Sequence, residues 1–193
     1  MIEFVRGKLA AKAPAEAVVD VHGVAFGLRI SLTTFDQLPS VGSEVTLWTR
    51  LHVREEQFEL YGFAAREERW VFEELIGVNG VGPKLALTLL SGLPADKLRE
   101  TIGGGDAARL KTVRGIGAKI ADRIVLELGK KFSGATADFV PSVTSGGSVL
   151  LQVRQALQAL GLTPAEIDKS LDAARAQNIE SVEEIIKFSL RKA

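Results

Sequence analysis

The sequence predicts an α+β multidomain protein with an N-terminal β-barrel, a middle all-α domain, a flexible linker and a C-terminal three-helix module. Three observations support this prediction. Apolar residues alternate with a period of two in the first third of the chain, as they do in strands. Helical spacing then takes over and contains a repeat at an offset of 35 residues. A stretch rich in Gly, Ser, Ala and Thr separates this repeat from a short helical tail.

The composition excludes several classes of protein. The chain has 193 residues, of which 46% are hydrophobic and 25% charged, and this suits two or three small folded domains. It has no Cys, which excludes disulfides, thiolate catalysis and Cys-based zinc sites. The start of the chain has no apolar signal segment, and no window approaches the roughly 18 apolar residues that cross a bilayer. We therefore expect a soluble, cytoplasmic protein that needs no metal and no cofactor.

Residues 1–63 predict a small barrel of five strands. The strand-forming runs are short and bounded by turn residues such as Gly23: Ile2–Leu9, Ala17–Val21, Val24–Ile30, Val45–Val53 and Phe58–Phe63. The OB fold is the commonest barrel of this size, so we predict an OB-like domain. An SH3-like barrel would give a similar pattern.

Residues 64–132 predict helices that carry a repeated motif. The segment VNGVGPKLA at 78–86 matches VRGIGAKIA at 113–121. Each copy predicts a helix, a tight glycine turn and a second helix with a lysine two residues after the last glycine. Between the copies we predict a helix over Pro94–Thr101, a break at Gly103–Gly105, and Asp106 as the cap of the next short helix.

The two glycine turns predict a site for phosphate groups. Glycine lets the backbone approach another surface closely, and the helix that follows begins with unpaired N–H groups and the positive end of its dipole. Lys84 and Lys119 add positive charge, and Arg123 lies one helical turn beyond Lys119. Residues 64–132 are also the only basic third of the chain, with 12 Lys and Arg against 9 Asp and Glu.

Two such copies form a tandem helix-hairpin-helix motif, which is typical of proteins that bind the DNA backbone without reading its sequence. The alternative is that Gly-x-Gly simply joins two helices, and one copy alone would leave both interpretations open. A phosphate-binding loop of the ATPase type is a third interpretation of residues 77–84. Pro83 separates Gly82 from Lys84, however, and Leu85 stands where a magnesium-binding hydroxyl is needed, so we expect no ATP hydrolysis.

A DNA glycosylase is the main enzymatic alternative, because some helix-hairpin-helix proteins place a catalytic Asp beyond the hairpin. Asp138 is the candidate, but it falls in a predicted linker that lacks the rigid positioning that catalysis requires. His22 and His52 both fall inside strand runs and outside any recognisable acid–base arrangement. We therefore predict no catalytic residue.

An acidic pair, Glu55 and Glu56, lies at the predicted tip between the fourth and fifth strands. One interpretation is a solvated hairpin turn whose charge discourages edge pairing. Beside a domain that binds phosphates, the same carboxylates would repel DNA strands and help to separate or guide them.

The last third predicts a tether and a small helical module. Residues 133–148 have linker composition. The module over residues 149–193 is predicted to contain helices at Val149–Leu160, Pro164–Gln177 and Ser181–Leu190. The apolar stripe of the first helix consists of Leu150, Val153, Leu157 and Leu160.

Over nearly its full length the sequence resembles the RuvA family, the bacterial Holliday-junction-binding subunits of the RuvAB branch-migration machine. The segments that carry the resemblance are MIEFVRGKL, VREEQFELYGF, NGVGPKLAL, RGIGAKIADRIVLEL and QALQALGLTPAEI. The resemblance implies a homotetramer, with an octamer left open, that holds a four-way junction in an open form. It also implies RuvB, the ATPase motor, as a partner, RuvC resolvase as a further candidate partner, and roles in recombination, DNA repair and the SOS response.

The resemblance also assigns roles to individual residues. Glu55 and Glu56 match an acidic pin at the strand crossover. The positions that match DNA-backbone contacts are Asn79, Gly80, Gly82, Lys84, Arg114, Gly115, Gly117, Lys119 and Arg123. The positions that match the RuvB-binding surface are Leu157, Leu160, Leu162 and Leu190, although any one of these leucines could equally belong to the core of the module. Outside this family, the remaining alternative is a duplex-binding adaptor tethered to another repair enzyme.

Overall fold

The computed structural model describes residues 2–54, 57–133 and 153–191, apart from residues 155, 159, 178 and 180. The predicted pin residues Glu55 and Glu56, the glycosylase candidate Asp138 and most of the predicted linker lie outside the described residues, as does the side chain of Leu190. The chain divides into two compact units, Met1–Val140 and Pro141–Ala193.

The first unit begins with a closed five-stranded barrel in the order β1-β2-β3-β5-β4. Its elements are β1 (Phe4–Ala13), β2 (Glu16–Val21), β3 (Val24–Ile30), α1 (Leu32–Gln37), β4 (Glu44–Arg54) and β5 (Gln57–Phe63). β3 and β5 pair in parallel, and the other neighbours pair antiparallel. This topology confirms the predicted OB-like barrel.

Strand β1 closes the barrel because it pairs with both β2 and β4. Gly7 makes the close approach to β2 possible, since a Cβ at this position would lie 2.1 Å from the carbonyl oxygen of Asp20. Alternate residues of the strands point inward and form the barrel core, which includes Val5, Leu9, Val19, Leu28, Ile30 and Leu47. The core therefore follows the two-residue period that predicted it.

The structure corrects two details of the predicted barrel. Helix α1 was not predicted, and its first turn is capped by Ser31, whose hydroxyl accepts a hydrogen bond from the Thr34 amide at 2.9 Å. The placement of His22 inside a strand was wrong. His22 and Gly23 form the turn between β2 and β3 with φ values of 51° and 94°, as in a type I′ turn, in which both central residues have positive φ and the backbone matches the strand twist.

Five helices follow the barrel in the same unit: α2 (Arg66–Gly77), α3 (Pro83–Gly92), α4 (Ala95–Gly103), α5 (Ala107–Leu110) and α6 (Ala118–Ser133). Asp106 caps α5 as predicted, since its carboxylate accepts a hydrogen bond from the Arg109 amide at 2.9 Å. The predicted linker began at Ser133, but this residue ends α6. The helix extends this far because Phe132 is buried against Trp70, with ring centroids 5.1 Å apart.

The hydrophobic core of the five helices extends into the last strand of the barrel. Tyr61 and Phe63 of β5 pack against Phe72 of α2, with ring centroids 5.0 and 4.9 Å apart. All three side chains belong to one buried cluster that continues through α3, α4 and α6. The predicted boundary between residues 63 and 64 therefore separates strands from helices, and the core of the helices crosses it at β5 while the rest of the barrel keeps its own core.

A buried carboxyl group strengthens this connection between barrel and helices. Glu68 of α2 is 3% exposed, and it accepts hydrogen bonds from the hydroxyls of Ser31 and Thr34 in α1 and its cap. The Thr34 hydroxyl in turn accepts a hydrogen bond from the Ala64 amide at 3.1 Å. Burial raises the pKa of Glu68, and the hydrogen bonds oppose that shift only in part.

The second unit contains α7 (Pro164–Ala176), α8 (Val182–Arg191) and helical backbone at residues 153, 154 and 156–158. Thr163 and Glu166 cap the start of α7 reciprocally, because the Thr163 amide donates to the Glu166 carboxylate at 2.8 Å and the Glu166 amide donates to the Thr163 hydroxyl at 3.4 Å. The core of this unit is formed by Val153, Leu157, Ile167, Leu171, Ala174 and Ile185.

Candidate nucleic-acid interface

The two copies of the repeated motif fold into turns with the same backbone geometry. Turn 1 comprises residues 78–82 and joins α2 to α3, and turn 2 comprises residues 113–117 and precedes α6. In turn 1 the Val81 amide donates to the Val78 carbonyl at 3.0 Å, and in turn 2 the Ile116 amide donates to the Val113 carbonyl at 3.1 Å. Both turns have a glycine with φ of 90° at the third position.

This geometry defines both turns as type II. Among the described residues, Ala15 and His22 are the non-glycine residues with positive φ, so Asn79 and Arg114 have negative φ. A four-residue turn with negative φ at its second position and positive φ at its third is a type II turn. Gly80 and Gly115 occupy that third position because a side chain there would be strained.

Each turn is anchored by its apolar residues and exposes its glycines. Val78 and Val81 are 2% and 4% exposed, and Val113 and Ile116 are 8% and 6% exposed. The residues between and after these anchors are exposed: Asn79, Gly80 and Gly82 in turn 1, and Arg114, Gly115 and Gly117 in turn 2. The alternation directs the exposed residues of both turns toward solvent.

Nothing within the described chain explains why Gly82 and Gly117 are glycines. Neither residue has positive φ, and a Cβ added at either position would meet no atom within 4 Å. Glycine in such a position costs conformational entropy on folding without relieving a clash or a backbone strain. The open space in front of these residues is what a close approach by an external partner requires.

The helices after the turns begin with amides that have no intrahelical acceptor. The Gly82 carbonyl accepts hydrogen bonds from the Leu85 and Ala86 amides, and the Gly117 carbonyl accepts them from Ile120 and Ala121. The first amides of each helix precede these bonds and have no intrahelical acceptor. Because Pro83 lacks an N–H group, α3 offers one amide fewer than α6.

Exposed cations lie within turn 2 and in the first turn of the helix after each turn. Lys84, Arg114 and Lys119 are exposed, and no hydrogen bond or ion pair engages their side chains within the described part of the chain. Lys84 and Lys119 occupy equivalent positions in the first turn of α3 and α6, whereas Arg114 has the neutral Asn79 as its counterpart. Positive charge beside unpaired amides at a helix N-terminus favours binding of phosphate groups.

The sequence did not predict that Arg123 contacts turn 1. Its guanidinium group donates to both the backbone carbonyl and the side-chain oxygen of Asn79, each at 3.0 Å, and its Nε lies 3.9 Å from the Glu127 carboxylate. The residue in the equivalent position of α3 is Thr88, whose hydroxyl donates to the Lys84 carbonyl at 2.9 Å. No spacing rule indicates a contact between residues that lie 44 positions apart.

The barrel end nearest the predicted acidic pin carries apolar side chains. Val53 and Phe58 are opposite each other in the β4–β5 pair and are 58% and 77% exposed. The charges of this tip were predicted from the sequence, but the exposed apolar pair beside it was not.

The predicted RuvB-binding leucines fall into different environments within the second unit. Leu157 is fully buried among the core residues of that unit, so the core interpretation applies to it. Leu160 is exposed, and Leu162 is half-buried against the core.

The described residues contain no cluster of three or more side chains of the kind that hold a metal ion. Within the same described ranges, none of the helices has the length and apolar character needed to span a bilayer.

Comparison with known proteins identifies the family. Models of the RuvA N-terminal domain, a SAM-like helix-hairpin-helix tandem and the RuvA C-terminal domain match residues 1–62, 72–130 and 148–193. Similar curated proteins, each described as Holliday junction branch migration complex subunit RuvA, come from Pseudomonas entomophila and Methylococcus capsulatus. They are 41% and 38% identical to this chain, over 99% and 100% of it and over 98% and 99% of their own lengths. The chain therefore belongs to the RuvA family.

Proposed function

We propose that this chain is the Holliday junction-binding subunit of a branch migration complex, and that turns 1 and 2 bind the DNA backbone. The observation that supports this most strongly is the pair of outward glycines, Gly82 and Gly117, which face open space and have no clash or backbone strain to relieve within the described ranges. A phosphate group needs such space to reach the amides at the start of a helix. Two equivalent sites on one rigid unit suit the regularly spaced phosphates of a duplex arm.

The proposed backbone-binding surface combines neutral donors with mobile charge. The donors are the amides of the glycines in both turns, namely Gly80, Gly82, Gly115 and Gly117. Lys84, Lys119 and Arg114 supply the charge that displaces counterions from DNA. Asn79 and Arg123 complete the surface between the turns. Because these contacts are to sugar and phosphate, recognition depends on the shape of the junction and not on base sequence.

The remaining assignments follow from membership of the family and extend the proposal. Four copies assemble around a junction, and Glu55 and Glu56 form an acidic pin that repels DNA strands at its centre. The second unit docks on a RuvB ATPase, with Leu160 and Leu162 as the accessible candidates for the contact and Leu190 as a further one. The chain acts in the cytoplasm as a non-catalytic subunit in recombination and SOS-linked repair, where RuvC resolvase is a candidate partner on the same junction.

Affinity for a four-way junction and for a linear duplex of equal length, measured by gel shift in physiological salt, tests the main proposal. We expect a marked preference for the junction and a steep loss of affinity with salt, since log K falls by about 0.9 for each neutralised phosphate per unit of log salt. Light scattering supplies the assembly state. A monomer that binds junction and duplex equally would refute junction selectivity and favour the duplex-binding adaptor.

Removal of the second unit tests the docking assignment separately. A chain ending at Val140 retains the whole first unit, so we expect it to bind junctions as the full chain does. Branch migration by a cognate RuvB ATPase should lose its stimulation. Stimulation that survives the truncation would contradict a motor contact in the second unit.

A further inference from the structure

A buried set of hydrogen bonds joins α1 to α2. The hydroxyls of Ser31 and Thr34 each donate to one carboxylate oxygen of Glu68. Each hydroxyl oxygen also accepts a hydrogen bond from a backbone amide, that of Thr34 for Ser31 and that of Ala64 for Thr34, at 2.9 and 3.1 Å. Because a hydroxyl has a single proton, these bonds together fix the direction in which each hydroxyl points. We call Ser31, Thr34 and Glu68 the polar clamp.

The other side of α1 is hydrogen-bonded to α3. The Leu32 amide donates to the Ser91 hydroxyl at 3.0 Å, and the Thr33 hydroxyl donates to the Leu90 carbonyl at 2.6 Å. Since turn 1 connects α2 to α3, α1 is bonded to both helices that flank this turn. Helix α1 itself lies between β3 and β4 in the chain, so it connects these two helices to the barrel.

The polar clamp differs in kind from the other contacts between the barrel and the helices. The packing of β5 against Phe72 is apolar, and hydrophobic burial is non-directional. Arg69 of α2 pairs with Glu3 at 2.8 Å, but the Glu3 side chain is 51% exposed, so water screens this pair. Glu68, in contrast, is buried, and no ion pair engages it in the described part of the chain. A buried carboxyl group without a cation lowers stability unless it is hydrogen-bonded, and a satisfied network of this kind fixes one arrangement.

The helices are held together by a continuous apolar cluster. It includes residues of α2 to α6, together with Val78 and Val81 of turn 1 and Val113 and Ile116 of turn 2. A change in the angle between the helices and the barrel therefore moves both turns together and preserves their mutual spacing. In the proposed function, a duplex arm needs only the two turns, whereas an open junction also needs the turns to be placed correctly about the barrel.

We infer that the residues of the polar clamp are positioning residues, which fix the angle between the barrel and the helices and thereby determine selectivity for a four-way junction over a duplex. An assembly that binds several arms at once loses this advantage when its sites are misplaced. The inference rests on the proposed function for this consequence in DNA binding. Its structural part, a fixed orientation within the first unit, is independent of DNA.

Distances between spin labels test the structural part. The chain has no Cys, so Lys8→Cys in β1 and Lys130→Cys in α6 place one label on the barrel and one on the helices, both at exposed positions. Labelled full-length protein is diluted with unlabelled protein, so that only distances within one chain are recorded. We expect Glu68→Leu, which removes both acceptors, and Thr34→Val, which removes one donor, to broaden or shift the distance distribution. Thr34→Ser keeps the hydroxyl and should preserve it. An unchanged distribution in Glu68→Leu and Thr34→Val would overturn the inference.

Two controls show whether the effect is specific to the polar clamp. A second label pair, Asp96→Cys in α4 with Lys130→Cys, lies within the helices and should give the same distance in every variant. Thr101→Val removes another buried hydroxyl, which donates to the Lys97 carbonyl at 2.7 Å within α4. It should leave both distances unchanged. If it alters the barrel-to-helix distance as Thr34→Val does, the loss of any buried hydroxyl has this effect and the inference is wrong.

Affinities of the same variants for a junction and for a duplex test the functional part. We expect Glu68→Leu and Thr34→Val to lower the ratio of junction affinity to duplex affinity by about ten-fold or more, because the arms are no longer bound simultaneously. Duplex affinity and its salt slope should stay as in the wild type. Thr34→Ser and Thr101→Val should keep the wild-type ratio. Partial unfolding would lower the duplex affinity as well, so a change in the ratio alone identifies a positioning role.

The outcomes separate this inference from the proposed function. If the barrel-to-helix distance changes while the affinity ratio does not, or if junction and duplex affinities fall equally, the polar clamp does not determine junction selectivity and the inference is wrong. If the wild type itself binds junction and duplex equally, the proposed function fails. The distance measurements then still decide whether the polar clamp fixes the orientation of the helices.

Discussion

Turns 1 and 2 have the same backbone and different surroundings. Their internal hydrogen bonds agree to 0.1 Å, and Gly80 and Gly115 have the same φ of 90°. Turn 1, however, continues into a helix that starts with Pro83, and its exposed peptide is bound by Arg123. Turn 2 carries a second cation, Arg114, and an additional helix amide. The repeated residues therefore determine the shape of the site, while the residues that differ determine its charge and the contacts made by its backbone.

Filling the space in front of both helices should have the largest effect on binding. Gly82→Val together with Gly117→Val places side chains where phosphate groups would approach, and a Cβ at either position meets no atom of the described residues within 4 Å. Two lost charge-assisted hydrogen bonds, at about 1.5–3 kcal/mol each, should weaken junction binding by roughly 100-fold or more. Thermal unfolding should stay close to that of the wild type.

Gly27→Val is the matched control for that pair. Gly27 also has open space around it, but it lies in β3 and far along the chain from either turn. It should leave junction affinity unchanged. If the single variants Gly82→Val and Gly117→Val differ by more than about ten-fold in affinity, the two turns are not equivalent sites.

Substitution of the positive-φ glycines should have a smaller effect, and on stability. Gly80→Ala and Gly115→Ala each force a side chain into the left-handed region, which costs about 1–2 kcal/mol in the free energy of unfolding. The nearest atom to a Cβ at Gly115 is Leu85 Cδ1 at 3.5 Å, an ordinary contact, so packing adds no large penalty there. Denaturant titration measures both values. A markedly smaller cost at Gly115 would show that turn 2 rotates its peptide to escape the strain.

Arg114→Asn makes turn 2 resemble turn 1 and tests the difference in charge. It should lower the salt slope of junction binding by about 0.9, because one neutralised phosphate is lost. Asn79→Ala in turn 1 serves as the comparison, since it removes no charge and should leave the slope unaltered. Equal slopes for wild type and Arg114→Asn would mean that Arg114 points away from bound DNA.

The buried carboxyl group of Glu68 should affect the stability of the folded chain, with a small and equal effect on the two turns. Because burial raises its pKa above the ordinary value of 4.5, the folded chain binds the proton more tightly than the unfolded chain does. The contribution of Glu68 to stability is therefore greatest at low pH and falls as pH rises through the raised pKa. Glu68→Gln should remove this decrease in a series of unfolding titrations. The prediction would be contradicted if the free energy of unfolding of the wild type rose with pH through this range, relative to that of Glu68→Gln.

Local patterns in the sequence predicted the elements of the first unit well. The two-residue apolar period predicted the barrel. The repeated motif predicted both glycine turns and the lysine after each one. Both predictions succeeded because these features depend on residues that are close together in the sequence. Helix α1 escaped prediction because it spans only six residues and depends on capping by Ser31 and on Glu68 from a later helix.

Contacts between distant segments could not be predicted. The hydrogen bonds of Arg123 to Asn79 join the two copies of the motif. The sequence pattern describes each copy separately, so it predicted a DNA contact for each residue and no contact between them. The packing of β5 against α2 has the same origin, since no local pattern indicates that Tyr61 and Phe63 contact Phe72. In the second unit, the apolar period predicted a stripe but could not distinguish the buried Leu157 from the exposed Leu160.

The aromatic side chains that link β5 to α2 have a practical consequence for anyone dissecting this chain. A fragment that begins at Ala64 would leave behind Tyr61 and Phe63 and uncover the face of Phe72 that they shield. Such a piece would be prone to aggregate, even though every helix that carries the glycine turns is present in it. The smallest soluble reagent for handling branched DNA should thus retain the strands as well as the hairpins.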